Sequence, residues 1–329
     1  MVGRVILYNR EIECMEQYPY HVLKMGRTRG GICCNCEEGN FLLKEYEGNE
    51  KRIQLIQQIQ KQGEEKGFVF DTFVNTQENT LLGADAYGKT YTLRKWHQER
   101  ECDPRCPEDI LEGARLLGKI TLFFQEVSAE YKKDIGEGRG DFSKEVLRRN
   151  KELKSISNSV KRKKKKTEFD ETFRRVFSHY YEQGLQVAEE CEGNKDVREG
   201  ICHKDYTHHN VMIGNETMVL VHFDNLGWDD VVGDLSLYLR KIMEKNEWDT
   251  VLAERILKQF HSVFPLSKAE YRQLYLRMAY PVRFLKIANH YGNTKRNHIN
   301  LRDLEKLKAL EKQENLRQQF LVFLHEFVV

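Results

Sequence analysis

The rhythm of apolar and polar positions changes once along this chain, near residue 100. Before that point apolar residues come in short runs set off by turn formers. Gly30-Gly31 and Glu38-Gly39-Asn40 flank the run 32–36, and Phe41-Leu42-Leu43 follows, ending in Lys44-Glu45-Tyr46. This spacing predicts a β-hairpin. Across 51–61, Ile53, Ile56 and Ile59 recur at helical spacing, and Gly63 and Gly67 end that element. Segments 69–74, 80–82 and 90–96 return to strand character. Beyond Pro107 the pattern is helical. Residues 109–124 are amphipathic, with Ile110, Ala114, Leu117 and Ile120 to one side. A glycine-rich break at 136–141 precedes a long charged helical stretch, 142–192, with a soft centre at 155–159. Helices at 229–243, 249–264, 267–291 and 301–327 complete the set, with Pro281 kinking or dividing the third.

Strands first and helices afterwards predict an α+β protein with a small β-rich N-lobe, 1–96, and a large helical C-lobe, 97–329. The order strand, strand, helix, strand, strand is that of a kinase-type small lobe, so a bilobal protein-kinase-like fold is the expectation. The length of 329 residues suits two such parts, and a 40% hydrophobic share can fill their cores.

Charge narrows the partners. Lys plus Arg number 53 and Asp plus Glu 51, which speaks against nucleic acid. The run Lys161-Arg162-Lys163-Lys164-Lys165-Lys166 offers a polyanion contact. One isolated run does not make a basic face, however, and Glu168, Asp170 and Glu171 follow it, so a solvated segment is expected. No stretch reaches the ~20 apolar residues of a membrane helix. Segment 2–8 is short and runs straight into Asn9, Arg10 and Glu11, unlike a secretory signal. No membrane association and synthesis in the cytoplasm are the expectations. The eight cysteines do not read as a disulfide framework in a chain this long. Cys33-Cys34-Asn35-Cys36 and Cys102 with Cys106 lack the spacing of common zinc motifs, so reduced cysteines packed on strands are expected.

The densest chemistry lies at 201–213. His203-Lys204-Asp205 and, five residues after the acid, Asn210 have the form His-x-Asp-x-x-x-x-Asn between short apolar runs. In phosphoryl transfer such an Asp orients or accepts the proton of the attacking hydroxyl, and the Asn ligates Mg²⁺. Asp205 is thus the candidate base, Asn210 a candidate metal ligand and His203 a brace for the loop. Val219-Leu220-Val221 leads into His222-Phe223-Asp224, where a second metal carboxylate belongs. Asp234 either holds the loop or caps its own helix. Lys44, closing an apolar strand, is the candidate nucleotide lysine, with Glu50 as its ion-pair partner. Gly30 and Gly31 either cover phosphates or merely make a turn. A rival is a transition-metal site of His203, His208, His209 and His222, against which adjacent His208 and His209 should point apart on an extended loop.

At 203–210 the chain resembles the His-Gly-Asp-x-x-x-x-Asn loop of aminoglycoside phosphotransferases and choline-type kinases. Several stretches resemble the CotS-type spore coat branch. These are Phe41-Leu42-Leu43-Lys44-Glu45-Tyr46, Tyr91-Thr92-Leu93-Arg94-Lys95-Trp96, Asp234-Leu235 with Leu239-Arg240-Lys241-Ile242, and Leu276-Arg277-Met278-Ala279-Tyr280-Pro281. The resemblance implies an ATP site with Mg²⁺ between lobes, other spore coat proteins as partners, and residence in the spore coat.

Two departures bear on activity. Lys204 replaces the resembled family's glycine, placing a cation beside Asp205. Where related kinases read apolar-Asp-Phe-Asp/Glu, this chain reads Val221-His222-Phe223-Asp224, so His222 falls on the first metal position. A neutral imidazole is a poor ligand for hard Mg²⁺. Strand alternation argues against Asp224 taking its place. Three functions follow: a weakened kinase fold serving coat assembly, an active phosphotransferase on a small hydroxyl compound or coat component, or a polyanion binder working through 161–166.

Overall fold

The computed structural model describes residues 9–135, 142–215, 217–293 and 301–327. Segments 2–8 and 136–141 lie outside them. The chain divides into two compact units, Met1–Asp103 with Thr207–Leu226, and Pro104–Tyr206 with Gly227–Val329. The first unit runs α1 (Asn9–Met15), β1 (Val22–Thr28), β2 (Gly31–Cys36), β3 (Gly39–Glu45), α2 (Glu50–Glu65), β4 (Val69–Phe70), β5 (Phe73–Val74), β6 (Gly83–Ala84), β7 (Thr90–Lys95) and β8 (Arg100–Glu101). The second supplies α3 (Pro107–Ile135), α4 (Phe142–Arg162), α5 (Glu168–Gly193) and β9 (Glu199–Cys202). The chain returns to the first unit for β10 (Val211–Ile213) and β11 (Met218–Leu220). It ends in the second with β12 (Gly227–Asp230), α6 (Gly233–Met243), α7 (Thr250–His261), α8 (Lys268–Ala279), α9 (Val282–Asn293) and α10 (Leu301–Glu326).

The first unit is built on an antiparallel sheet, β1-β2-β3-β7-β5, with β6 also on β7. Leu43 pairs with Leu93 and Lys44 with Thr92, and directly opposed residues share a face. Phe41, Leu43, Tyr91 and Leu93 therefore point one way, into a core with Cys14, Met15 and Tyr18. Leu42, Lys44, Thr92 and Arg94 occupy the other face. A second sheet, β4-β11-β10-β8, packs Met212, Val219 and Val221 against Val69.

The hairpin expected at 32–43 forms as β2 and β3. The strand expected at 80–82 forms at β6 instead. Thr76 and Thr80 close a turn before it, with a 2.8 Å backbone bond and a 2.8 Å hydroxyl contact; such local bonding competes with strand pairing. All eight cysteines are free. Burial pushes the thiols of Cys14 and Cys34 up to about 12 and that of Cys36 to about 11, whereas a zinc ligand must be a thiolate.

In the second unit α4 packs on α5, and the break between them falls at 163–167 rather than the expected 155–159. Ser157 is buried within α4. Thr167 restarts the chain as a helix through a reciprocal capping box with Asp170. The basic run ends α4, where cations suit the helix dipole. Lys163 lies 2.8 Å from both Asp170 and Tyr291, while Lys164, Lys165 and Lys166 are exposed. The helix expected from Asp229 begins at Gly233, because Asp229 and Asp230 pair with Gly200 and Glu199 as strand. Pro281 divides α8 from α9: Tyr280 before it is extended, with ψ 126°, as a residue preceding proline prefers. No described helix is long and apolar enough to cross a membrane.

Candidate functional site

On the polar face of the first unit's sheet, Lys44 and Arg94 converge on one carboxylate. Lys44 Nζ lies 2.9 Å from Asp224 Oδ2. Arg94 donates through Nη1 to the same oxygen at 3.3 Å and through Nη2 to Oδ1. Both oxygens of Asp224 are thus engaged by cations. Arg94 also reaches Asp71 Oδ2 at 3.3 Å and lies over the Phe73 ring, 4.4 Å from its centroid. Its side chain is 1% exposed and that of Asp71 0%. Burial drives the Asp71 pKa up to about 6 against the pull of Arg94. Burial would raise Asp224 too, but Arg94 and Lys44 outweigh it and hold that carboxyl well below the usual range.

The approach to Asp224 explains why alternation does not decide the matter. β11 ends at Leu220, and His222 takes a left-handed backbone, φ 70° and ψ 57°, before a single 3-10 turn over Phe223–Asn225. The alternation argument against Asp224 taking the place of His222 does not apply here, because no strand persists past Leu220. The His222 amide donates to Asp71 Oδ2 at 2.8 Å. Burial, then Lys44 and Arg94, lower its imidazole pKa to about 4, so it is neutral near pH 7. Gly30, at φ 84°, sits so close that a Cβ there would meet the ring at 2.6 Å. Gly30 thus makes the β1–β2 turn and packs on His222, and a Cβ on Gly31 would meet the Leu43 carbonyl at 2.5 Å.

Glu50 is not the partner of Lys44. It stands in the first turn of α2, and its Oε1 accepts from the Leu81 amide at 3.1 Å. Asn210 belongs to the first unit, where its carbonyl accepts from Val221 at 3.0 Å and its amide donates to Thr207 at 2.9 Å. His208 and His209 do not point apart: their rings lie 3.9 Å from each other on a turn, with His209 Nδ1 2.6 Å from Glu101. Among the described residues no group of three or more His, Cys, Asp and Glu is placed to hold a metal ion.

Asp205 and His203 belong to the second unit. β9 delivers His203, which is fully buried and whose Nδ1 accepts from the Asp205 amide at 3.3 Å. Asp234 accepts from the His203 and Lys204 amides, both at 2.7 Å. It therefore holds the loop and does not cap its own helix. Burial raises its pKa to about 7, against those two amide bonds. Lys204 has φ 61°, the left-handed region that favours the glycine of the resembled loop. Its ammonium turns towards Asp229 and the Trp228 carbonyl, at 3.9 and 3.4 Å. A non-glycine residue at this φ costs about 1–2 kcal/mol, partly offset by glycine's greater unfolded-state freedom. Lys204→Gly is therefore expected to raise stability by about 0.5–1 kcal/mol while Lys204→Ala gains nothing. Thermal denaturation midpoints check this, and an unchanged or lower midpoint for the glycine variant contradicts it.

The family model described as "Spore coat putative kinase YutH" matches residues 11–324. The chain belongs to this family. Spore coat protein S of Bacillus subtilis (strain 168) is 23% identical over 300 residues, covering 85% of this chain and 83% of that protein. Among solved structures, an aminoglycoside phosphotransferase from Alicyclobacillus acidocaldarius superposes with a TM-score of 0.80 at 19% identity, covering 95% of this chain and 94% of that one. The spectinomycin phosphotransferase APH(9)-Ia, solved with ADP and spectinomycin, gives 0.68 at 14% identity, with 94% and 97% covered. The amicoumacin kinase hAmiN, solved with AMP-PNP and Ca²⁺, gives 0.65 at 11% identity, with 94% and 93% covered. These establish a kinase-like fold for a member of a spore coat family, with a small β-rich part and a larger helical one.

Sequence reasoning missed Arg94 and Asp71. The resembled kinase loop calls for a metal-binding carboxylate where His222 stands. The residues here do not fit that ion: His222 is neutral near pH 7, and the Asp224 carboxylate already carries two cations.

Proposed function

We propose that this chain is a kinase-fold spore coat protein with a weakened phosphotransfer site, acting in coat assembly beside other coat proteins. The observation that carries this reading is the commitment of both Asp224 oxygens to Arg94 and Lys44. A guanidinium supplies the positive charge that a divalent ion would bring, but it has no open coordination position for a triphosphate oxygen. Lys44 keeps the chemistry needed to meet a nucleotide phosphate as a point charge. Weak ATP binding with little metal dependence follows.

A second reading, an active phosphotransferase on a small hydroxyl compound or coat component, is favoured by the loop at Asp205, which His203 and Asp234 hold in place. One measurement separates the two. In thermal denaturation, ATP is expected to raise the midpoint slightly, and adding Mg²⁺ to change it by less than the effect of ATP alone. A tenfold or greater gain in apparent ATP affinity on adding Mg²⁺ supports the active enzyme instead.

A further inference from the structure

The basic run at 161–166 is not isolated once the chain is folded. It ends α4 and leads into α5, and Lys161 lines one open groove with Arg174 and Arg175 of that next helix. The groove holds about 380 Å³, with Phe177 as an apolar wall and Ser157 and Ser178 supplying hydroxyls. Lys161, Arg162, Lys164 and Lys165 are exposed. Among the described residues no carboxylate forms an ion pair with any of these four. The acids that follow the run are used elsewhere: Glu168 meets Lys308 at 2.6 Å, and Asp170 meets Lys163 at 2.8 Å. The acid in the groove, Glu171, lies 3.6 Å from Arg174, and Arg175 is bridged to Glu311 at 2.7 Å. Both bridges are exposed, so they are weak and exchange readily. Seven residues before Lys161 on α4, Lys154 stands over the Tyr181 ring, 5.0 Å from its centroid, and Tyr181 lies seven residues after Arg174 on α5. The two helices are thus antiparallel here, and cations follow their shared face for about 10 Å, the rise of seven helical residues.

Exposed like charges with no acidic neighbours raise the local potential and favour an anionic partner. An extended peptide repeats its side chains on one side every ~6.6 Å, so acidic residues two apart match a groove of this length. The patch is short and Glu171 stands inside it. That suits a few carboxylates and not the continuous row of phosphates through which nucleic acid gains affinity. We propose that the α4–α5 groove docks an acidic, extended segment of a partner protein. Lys161, Arg174 and Arg175 meet its carboxylates, and the exposed Lys164 and Lys165 steer its approach. The proposal rests on this surface alone and not on the state of Asp224.

Fluorescence anisotropy of labelled hexaglutamate, and separately of a labelled oligothymidylate, titrated with the full chain at physiological ionic strength tests the surface. Hexaglutamate is expected to bind the more tightly. Lys161→Gln with Arg174→Gln is expected to weaken it about tenfold, and Lys164→Gln with Lys165→Gln about threefold. Ser178→Glu, which adds a carboxylate to the groove without removing a cation, is expected to weaken it about fivefold. All of these positions are exposed, so melting temperatures should not move. Lys51→Gln with Lys61→Gln, exposed on α2, removes as much charge as either double variant and is expected to change binding by less than about twofold. No binding of hexaglutamate by the native chain, unchanged binding in the Lys161/Arg174 variant or in Ser178→Glu, an equal loss in the α2 variant, or tighter binding of oligothymidylate overturns the proposal.

Discussion

Replacing Arg94 by Met lowers the stability of the chain by about 3–5 kcal/mol, the usual cost of stripping one partner from a buried ion pair. The size follows from what is left behind. Asp71, fully buried, loses the one charged partner it has among the described residues, and keeps the His222 amide at 2.8 Å and a long contact from Gln60 at 3.5 Å. Asp224 fares better, because it keeps Lys44 and is 20% exposed. Adding Asp71→Asn to the Arg94→Met chain should therefore restore a large part of the loss: the amide oxygen can still accept from His222, and no charge is buried. Arg94→Lys cannot substitute, since one ammonium does not span two carboxylates as a planar fork does. Chemical denaturation of the single and double variants checks this. A cost below 1 kcal/mol for Arg94→Met, or no recovery in the double variant, would mean that Arg94 does not hold the two acids.

His222→Asp is expected to create a metal dependence that, on the weakened-site reading, the native chain lacks. The left-handed backbone at this position suits Asp, one of the few residues that visit it readily. The electrostatics also suit it: the cations that depress the imidazole, Lys44 and Arg94 with Arg29, would stabilise a carboxylate. With Asp224 already neutralised, the new acid is the one free to take Mg²⁺. A tenfold tightening of ATP by Mg²⁺ in the variant, about 1.4 kcal/mol, is the expected result. Calorimetric titration with and without the ion reads it, and an identical ATP affinity in both conditions would rule out position 222 as the missing ligand.

Two members of the cation–carboxylate cluster stood out in the chain before any coordinates: Lys44 because it ends an apolar strand, and Asp224 because it follows Asp205 and Asn210 at kinase spacing. The choice of Glu50 failed for a local reason. A residue in the first turn of a helix is placed by that helix, and this one meets the Leu81 amide. Arg94 was legible in principle: in Tyr91-Thr92-Leu93-Arg94 the polar residues alternate with apolar ones, so Thr92 and Arg94 share a face with Lys44. Asp71 was not, since a lone acid between two strands of two residues carries no pattern. Nor does anything in a histidine announce φ 70°. That backbone is fixed by Asp71 and by the end of β11, both set by distant parts of the chain. In the helical unit, capping chemistry marked true boundaries that periodicity blurred: Thr167 with Asp170, Ser267 with Glu270, and Pro281.

Diffraction from crystals grown with AMP-PNP and Mn²⁺, recorded at a wavelength where manganese scatters anomalously, addresses the state of Asp224 without any assay. The expected map has no manganese peak on that carboxylate, with the Arg94 guanidinium still bonded to it. A manganese ion ligated by Asp224, with Arg94 displaced, would show that the guanidinium yields to the metal and that the site is not weakened in the way argued.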